Sequence, residues 1–330
     1  MLTPKLLVIT HQKAYECDTL IDGLNSEEIP FLRYNLDLDT PSKIAFEFGD
    51  KLKFYLECDD KKVDASKIEM AYFHQTLPER LYQDNKNQAI TSIRRAINIQ
   101  MLFSLESLLS AKWLNKPSAV QKASNKISQL KIAMDLDLAI PKTLISNNPK
   151  SIRTFTKNSK NIIKNIASPK YFLDSTEEDY FEAETVEFDK QWLNNPEALS
   201  FSPLIYQAKV KKKRELRIVV LGKEIFAAEC EADTAFLDYR VREDLVEKMK
   251  PCELPEQISR KLIKMLEIYD LQYGSFDMLV DEKDNFLFLE LNPTGAFGWI
   301  DKSYGGQIYK AFVKYLQKSL SSFNGGHNKV

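Results

Sequence analysis

Apolar residues come in short blocks near the start of the chain and at helical spacing further on. Lys5–Thr10 (KLLVIT) is an apolar run of buried-strand length. The pattern then predicts a helix over 14–25 and a strand over Ile29–Asn35. Ile44–Phe48 and Leu52–Glu57 flank Gly49-Asp50, a hairpin signal. Lys67–Phe73 reads as another strand. Ile90, Ile93, Ile97, Met101, Leu105 and Leu108 fall on one helical stripe and predict a long helix over 87–112. A helix over 124–136 follows, with Ser124 as its expected N-cap. Next come a strand Lys142–Ser146, a helix from Asn148-Pro149 to about Lys157, and strands across 161–173 and 180–188. The last third predicts a strand Leu204–Val210 and a hairpin, Glu215–Leu221 and Glu224–Glu229, turning on Gly222-Lys223. A helix over 254–269, a second hairpin and a helix over about 307–320 complete the series.

Three consecutive units, each mixing strands and helices with hairpins in the later two, predict an α+β protein rather than one doubly wound sheet. The boundaries fall at 1–115, 116–202 and 203–324, consistent with 330 residues at roughly 100–200 per domain. With 44% apolar and 28% charged residues, the chain has the makeup of an ordinary globular protein. A formal net charge of -1 supplies no global attraction to nucleic acid or membrane. Cys17, Cys58, Cys230 and Cys252 form no C-x-x-C pair, and His11, His74 and His327 are not at zinc-ligand spacing from them. Free thiols in a reducing compartment are the expectation. Neither a secretory signal nor a membrane-length apolar run is present, which makes the cytoplasm the default.

Chemistry concentrates in YGSFDMLVDEKDNFLFLELNPTGAFGW, residues 273–299. A hairpin symmetric about Lys283-Asp284 places Val280 opposite Leu287, Met278 opposite Leu289 and Asp277 opposite Glu290. Opposed residues point to the same face with Cβ atoms roughly 4.5–5.5 Å apart. Asn292, two beyond Glu290, shares that face. Two neighbouring carboxylates repel unless a cation lies between them. Asp277, Glu290 and Asn292 offer only hard oxygen ligands, which suit Mg²⁺ completed by nucleotide phosphates. An ordinary solvent-facing hairpin explains the alternation but not Asn292-Pro293 followed by Gly295 and Gly298.

These residues resemble the ATP-grasp ligases, whose metal signature is an Asp on one strand and E-x-N-P on the next. NPTGAFGWI further resembles N-P-x-G-Q-W-x-W of the microviridin-type peptide maturases, the graspetide synthetases, with Ala296 and Phe297 departing from the pattern. ASNKISQLKIAMDLDLAIPKTLISNNP (123–149), LIYQAKVKKKRELRIVVLGKEIFAA (204–228) and LDYR (237–240) are similar to other segments of that family. The resemblance implies an ATP-grasp fold: an N-terminal α/β domain, then central and C-terminal subdomains enclosing ATP. It implies that Lys126 and Lys164 hold phosphates and that the backbone at Gln207, Ala208 and Lys209, with Glu215 nearby, meets the nucleotide. The resemblance further implies that Arg217 clamps phosphate or carboxylate, and that Asp238 and Arg240 contact the acceptor peptide or the activated carboxylate. The implied substrate is a ribosomal precursor peptide, leader plus core, whose Asp or Glu side chains become acyl phosphates captured by Thr, Ser or Lys. The implied assembly is a homodimer.

Lys209–Arg214 (KVKKKR) matches a short basic run of nucleic-acid type but lacks aromatic residues for base stacking, which favours a charged loop. Two rivals remain at this level. One is an ATP-grasp ligase that adds an amino acid to a small acid or protein tail, and the other is a non-catalytic nucleotide-binding module.

Overall fold

A fully buried five-residue strand, β1 (Leu6–Thr10), opens the chain. Burial on both faces is what a parallel sheet demands. β1 is followed by the helix α1 (Tyr15–Ser26) and by β2 (Phe31–Asn35), its parallel neighbour. The hairpin β3 (Lys43–Glu47) and β4 (Lys53–Cys58) turns where Gly49-Asp50 predicts, and β5 (Lys61–Asp64) extends it to three strands. β6 (Met70–Phe73) returns to the parallel sheet, on the other side of β1. The long helix α2 (Gln88–Leu108) is shorter than its apolar stripe predicts. Lys112–Leu114 is instead β7, the fourth strand, in the order β2-β1-β6-β7. Three residues are too few to carry a period, and their pairing comes from Met70–Tyr72 of β6. Leu7, Ile9, Leu32, Leu56, Ala71, Leu105 and Trp113 share one core.

The computed structural model describes residues 4–36, 42–58, 61–75, 88–166, 170–172, 180–182, 185–233, 237 and 247–322. Its contacts define two compact units. The first comprises Met1–Lys122, Leu266–Tyr273 and Ala296–Val330; the second comprises Ala123–Met265 and Gly274–Gly295. Most of the two later sequence units, 116–202 and 203–324, therefore folds together, while the chain from Ala296 onward belongs with the first unit. There the helix Gln307–Ser321 carries Phe312, whose ring stacks on Phe297 at 4.5 Å and meets Tyr273 edge-on at 5.0 Å.

In the second unit the helix Lys126–Asp135 begins at Asn125, not Ser124. The Asn125 side chain accepts the Ser128 N–H at 2.9 Å, and a cap must stand where its oxygen reaches that donor. Two larger sheets follow. One has the order β12-β9-β13-β8, from Val186–Glu187, Asn161–Lys164, Leu204–Ala208 and Thr143–Ser146. A separate pair, β10 (Lys170–Phe172) and β11 (Tyr180–Glu182), lies between β9 and β12 in sequence. The second sheet has the order β16-β15-β14-β17-β18, from Lys250–Cys252, Glu224–Glu231, Lys212–Leu221, Tyr273–Asp281 and Phe286–Asn292. Among the described residues no helix is long and apolar enough to cross a membrane.

Candidate active site

The β17–β18 hairpin differs from a symmetric one. Val280 pairs with Phe286, not Leu287, and Met278 with Phe288, not Leu289. The register then shifts by one residue between Asp277 and Met278, and Asp277 pairs with Glu290 as expected. Leu289 is the extra residue of a β-bulge. Continued without it, the turn-side register would place Asp277 opposite Leu289. The turn itself is held by Asp281, whose Oδ1 accepts the Lys283 and Asn285 N–H groups at 2.9 Å each.

Asp277 is 5% exposed and lies beside β14, where Arg217 is 4% exposed. Arg217 Nη1 donates to Asp277 Oδ1 at 3.0 Å. Asn292 Nδ2 donates to Asp277 Oδ2 and to Glu290 Oε1, 3.3 Å each, and so bridges the two carboxylates. Lys126 Nζ, on the first residue of its helix, lies 3.6 Å from Glu290 Oε2. The structure thus gathers Asp277, Glu290, Asn292, Arg217 and Lys126 into one chain of contacts. It also corrects the argument that the acids need an added ion between them. Arg217 and Lys126 already offset their charge, and the Asn292 amide donates a hydrogen bond to each. What favours a metal here is the donor set: two carboxylates and an amide oxygen are hard ligands, and Mg²⁺ takes one or two carboxylates beside phosphate oxygens. Mg²⁺ fits these residues on that ground. Among the described residues no three His, Cys, Asp or Glu side chains form a metal cluster.

Glu215 lies two residues before Arg217 on β14 and is 5% exposed. Lys212 Nζ donates to Glu215 Oε1 at 2.7 Å and to Leu237 O at 3.3 Å. A sequence reading has no signal for Lys212, which sits in a basic run that looks solvated. The other basic residues of the run make ion pairs, with Lys211 and Lys213 at the surface: Lys209 with Glu187, Lys211 with Glu282, Lys213 with Asp284 and Arg214 with Glu229. Lys164 ends β9 opposite Ile205, on the four-stranded sheet that also carries Gln207 and Ala208. The N–H groups of Ala208 and Lys209 donate to Lys142 O at 2.8 Å and Lys160 O at 2.9 Å. A purine edge at this strand end would meet carbonyls or side chains, because those donors are engaged. Asp238 and Arg240 lie outside the described residues.

Cys230 faces Glu215 across β14 and β15. Burial, then the Glu215 charge, pushes its thiol up to about 11. It is a protonated thiol at neutral pH, unsuited to nucleophilic catalysis.

Ser275 and Gly295 complete the surroundings of Arg217. Ser275 is fully buried, and its Oγ donates to Gly295 O at 3.1 Å. A Cβ on Gly295 would stand 2.7 Å from Arg217 Nη2, 2.7 Å from Asn292 Cβ and 2.8 Å from Ser275 Cβ. Gly295→Ala is expected to cost on the order of 1–3 kcal/mol and to lower turnover by displacing the guanidinium. Thermal melts and steady-state rates check this, and wild-type values for both would mean that the loop has room.

Several solved structures are similar to this chain over nearly its whole length. A Chryseobacterium gregarium RiPP-associated ATP-grasp ligase, in complex with ADP and a leader and core peptide, has a TM-score of 0.84 at 26% identity, over 96% of this chain and 97% of that one. The macrocyclase MdnC from Microcystis aeruginosa MRC, bound with precursor peptide MdnA, has a TM-score of 0.81 at 24% identity, over 95% and 99%. D-alanyl-alanine synthetase A from Vibrio cholerae has a TM-score of 0.59 at 14% identity, over 98% and 100%, and shares the fold. No curated protein sequence matches significantly. Residues 123–316, more than half the chain, match the RimK-like ATP-grasp domain. With a bulged hairpin that collects two acids, an amide and an arginine in that region, the chain belongs to the RimK-like ATP-grasp family of ATP-dependent ligases.

Proposed function

We propose that this enzyme uses ATP to phosphorylate Asp or Glu side chains of a ribosomal precursor peptide and closes ester or amide cross-links within that peptide. The observation that carries the reading is Arg217 held at 3.0 Å from Asp277, on the face that also presents Glu290 and Asn292. A guanidinium fixed at that point has a planar fork matched to a carboxylate or a transferring phosphoryl group. The choice of a peptide acid over a small one is supported by the ligases of Chryseobacterium and Microcystis, both solved with peptide bound.

In the proposed reaction a substrate carboxylate oxygen attacks the γ-phosphorus of ATP. The bond to the β-phosphate oxygen breaks and ADP leaves. Arg217 and Lys126 offset the charge that accumulates, and burial of Arg217 strengthens its effect by excluding water. Mg²⁺, held by Asp277, Glu290 and Asn292, would neutralise phosphate oxygens. A Thr or Ser hydroxyl, or a Lys amine, then attacks the acyl carbon. Its proton is lost, phosphate departs, and an ester or amide remains.

The test is incubation with ATP, Mg²⁺ and a Thr- and Asp/Glu-rich precursor peptide, read by mass spectrometry. Loss of one water per cross-link, with one ADP formed per link, is the expected result. A mass gain equal to an added amino acid would instead assign amino-acid ligation to the site. Nucleotide binding without any turnover would sink both.

A further inference from the structure

Leu291 stands between Glu290 and Asn292, and one buried side chain holds its backbone. Gln129, 2% exposed on the helix Lys126–Asp135, accepts the Leu291 N–H at Oε1, 2.8 Å away. Its Nε2 donates to Leu291 O at 2.8 Å and to Ala123 O at 2.7 Å. β18 is an edge strand, so Gln129 supplies Leu291 with the two bonds that a further strand would give. Phe288 is anchored as well, its N–H donating to Ala139 O at 2.8 Å.

In a regular antiparallel strand the outward-facing backbone groups belong to alternate residues. Phe288 and Leu291 are an odd number of residues apart. Both can face outward only if one residue between them is a bulge. The two anchors are therefore compatible with the bulged register and incompatible with the regular one.

We propose that Gln129 is a positioning residue that locks this register and so keeps Glu290 and Asn292 on the face of Asp277. The inference rests on the reading of those three residues as the metal–nucleotide site. Without the clamp, the turn-side register runs on to pair Asp277 with Leu289. A one-residue slip moves Glu290 and Asn292 to the opposite face. Gln129 lies one helical turn from Lys126, so the clamp also sets where that ammonium meets Glu290.

Mn²⁺ binding to the ADP-loaded full-length protein, read by electron paramagnetic resonance, tests this without turnover. Gln129→Met is expected to weaken Mn²⁺ about 10- to 100-fold, the range for residues that orient metal ligands. Gln129→Asn, polar but too short to span both bonds, is expected to behave alike and covers a folding failure of the methionine variant. Asn115 serves as the comparison. It is a buried amide clamp on Tyr273, donating to its carbonyl at 2.8 Å and accepting its N–H at 3.1 Å. Asn115→Ala is expected to lower thermal stability while keeping Mn²⁺ affinity. Deleting Leu289 from Gln129→Met makes β18 regular with Asp277 opposite Glu290, and is expected to restore binding. Wild-type affinity in both Gln129 variants, or no recovery on deleting Leu289, overturns the inference alone. Wild-type affinity in Asp277→Asn overturns the metal reading, and this inference with it.

Discussion

Arg217→Lys is expected to lower kcat by roughly 10²–10³-fold, the cost of removing one preorganised charge-stabilising donor. The substitution keeps the positive charge and removes the fork. A lysine ammonium is a point donor on a flexible stem and does not hold a carboxylate or phosphoryl group in a plane. Its length also falls short of a guanidinium that reaches Asp277 at 3.0 Å from the neighbouring strand. The fold is expected to survive, because Leu216, Ile218 and Val220 on the other face of β14 stay buried. Single-turnover ADP formation with saturating peptide is the measurement, with circular dichroism as the folding control. If arginine acts mainly on the transition state, kcat falls while KM for ATP changes little. A folded Arg217→Lys enzyme with wild-type kcat would remove Arg217 from the chemistry.

Acid is expected to destabilise the protein well before its carboxylates titrate. His11 follows β1 and is 2% exposed. Burial first, then the charges of His74 and Arg33, pull its imidazole from the ordinary 6.5 down to about 4, with Asp18 opposing them. The unfolded chain takes up a proton near pH 6.5 and the folded one only near pH 4. The stabilising contribution is whole above the higher value and is lost as pH falls toward the lower one. At about 1.4 kcal/mol per pH unit, the loss is on the order of 2 kcal/mol between about pH 6.5 and 5. Urea melts across that window check it. His11→Gln carries no such proton, so its stability is expected to be flatter there. Parallel curves for the two proteins would show that His11 is not the group responsible.

The core elements could be read directly because their apolar residues either form an unbroken run, as in β1, or repeat at a regular period over enough positions. β1, the Gly222-Lys223 hairpin and the helix Gln307–Ser321 all fall where the apolar pattern puts them. The three-residue β7 was not legible, since it pairs with β6, distant in sequence, and the four-residue edge strand β5 is too short to carry a period although it pairs with the adjacent β4. At the site, the pairing of Asp277 with Glu290 agreed with a symmetric hairpin only because a bulge compensates for a turn offset by one residue. Asn292 and Ser275 follow from alternation, two residues from Glu290 and Asp277. Lys212, in contrast, is one lysine among several until the fold buries it, with its ammonium between Glu215 three residues on and the carbonyl of Leu237.

Local order along the chain determined which side chains carry oxygen ligands and which carry positive charge, because that information is in residue type and spacing alone. The packed structure decided which of them meet. It set Lys126 against Glu290 across 164 positions of sequence, gave each acid its own cation, and used one buried glutamine to fasten a helix to the strand between two candidate ligands. The physical reason is that hydrogen bonds and charges act over a few ångströms, and only folding brings distant segments within that range.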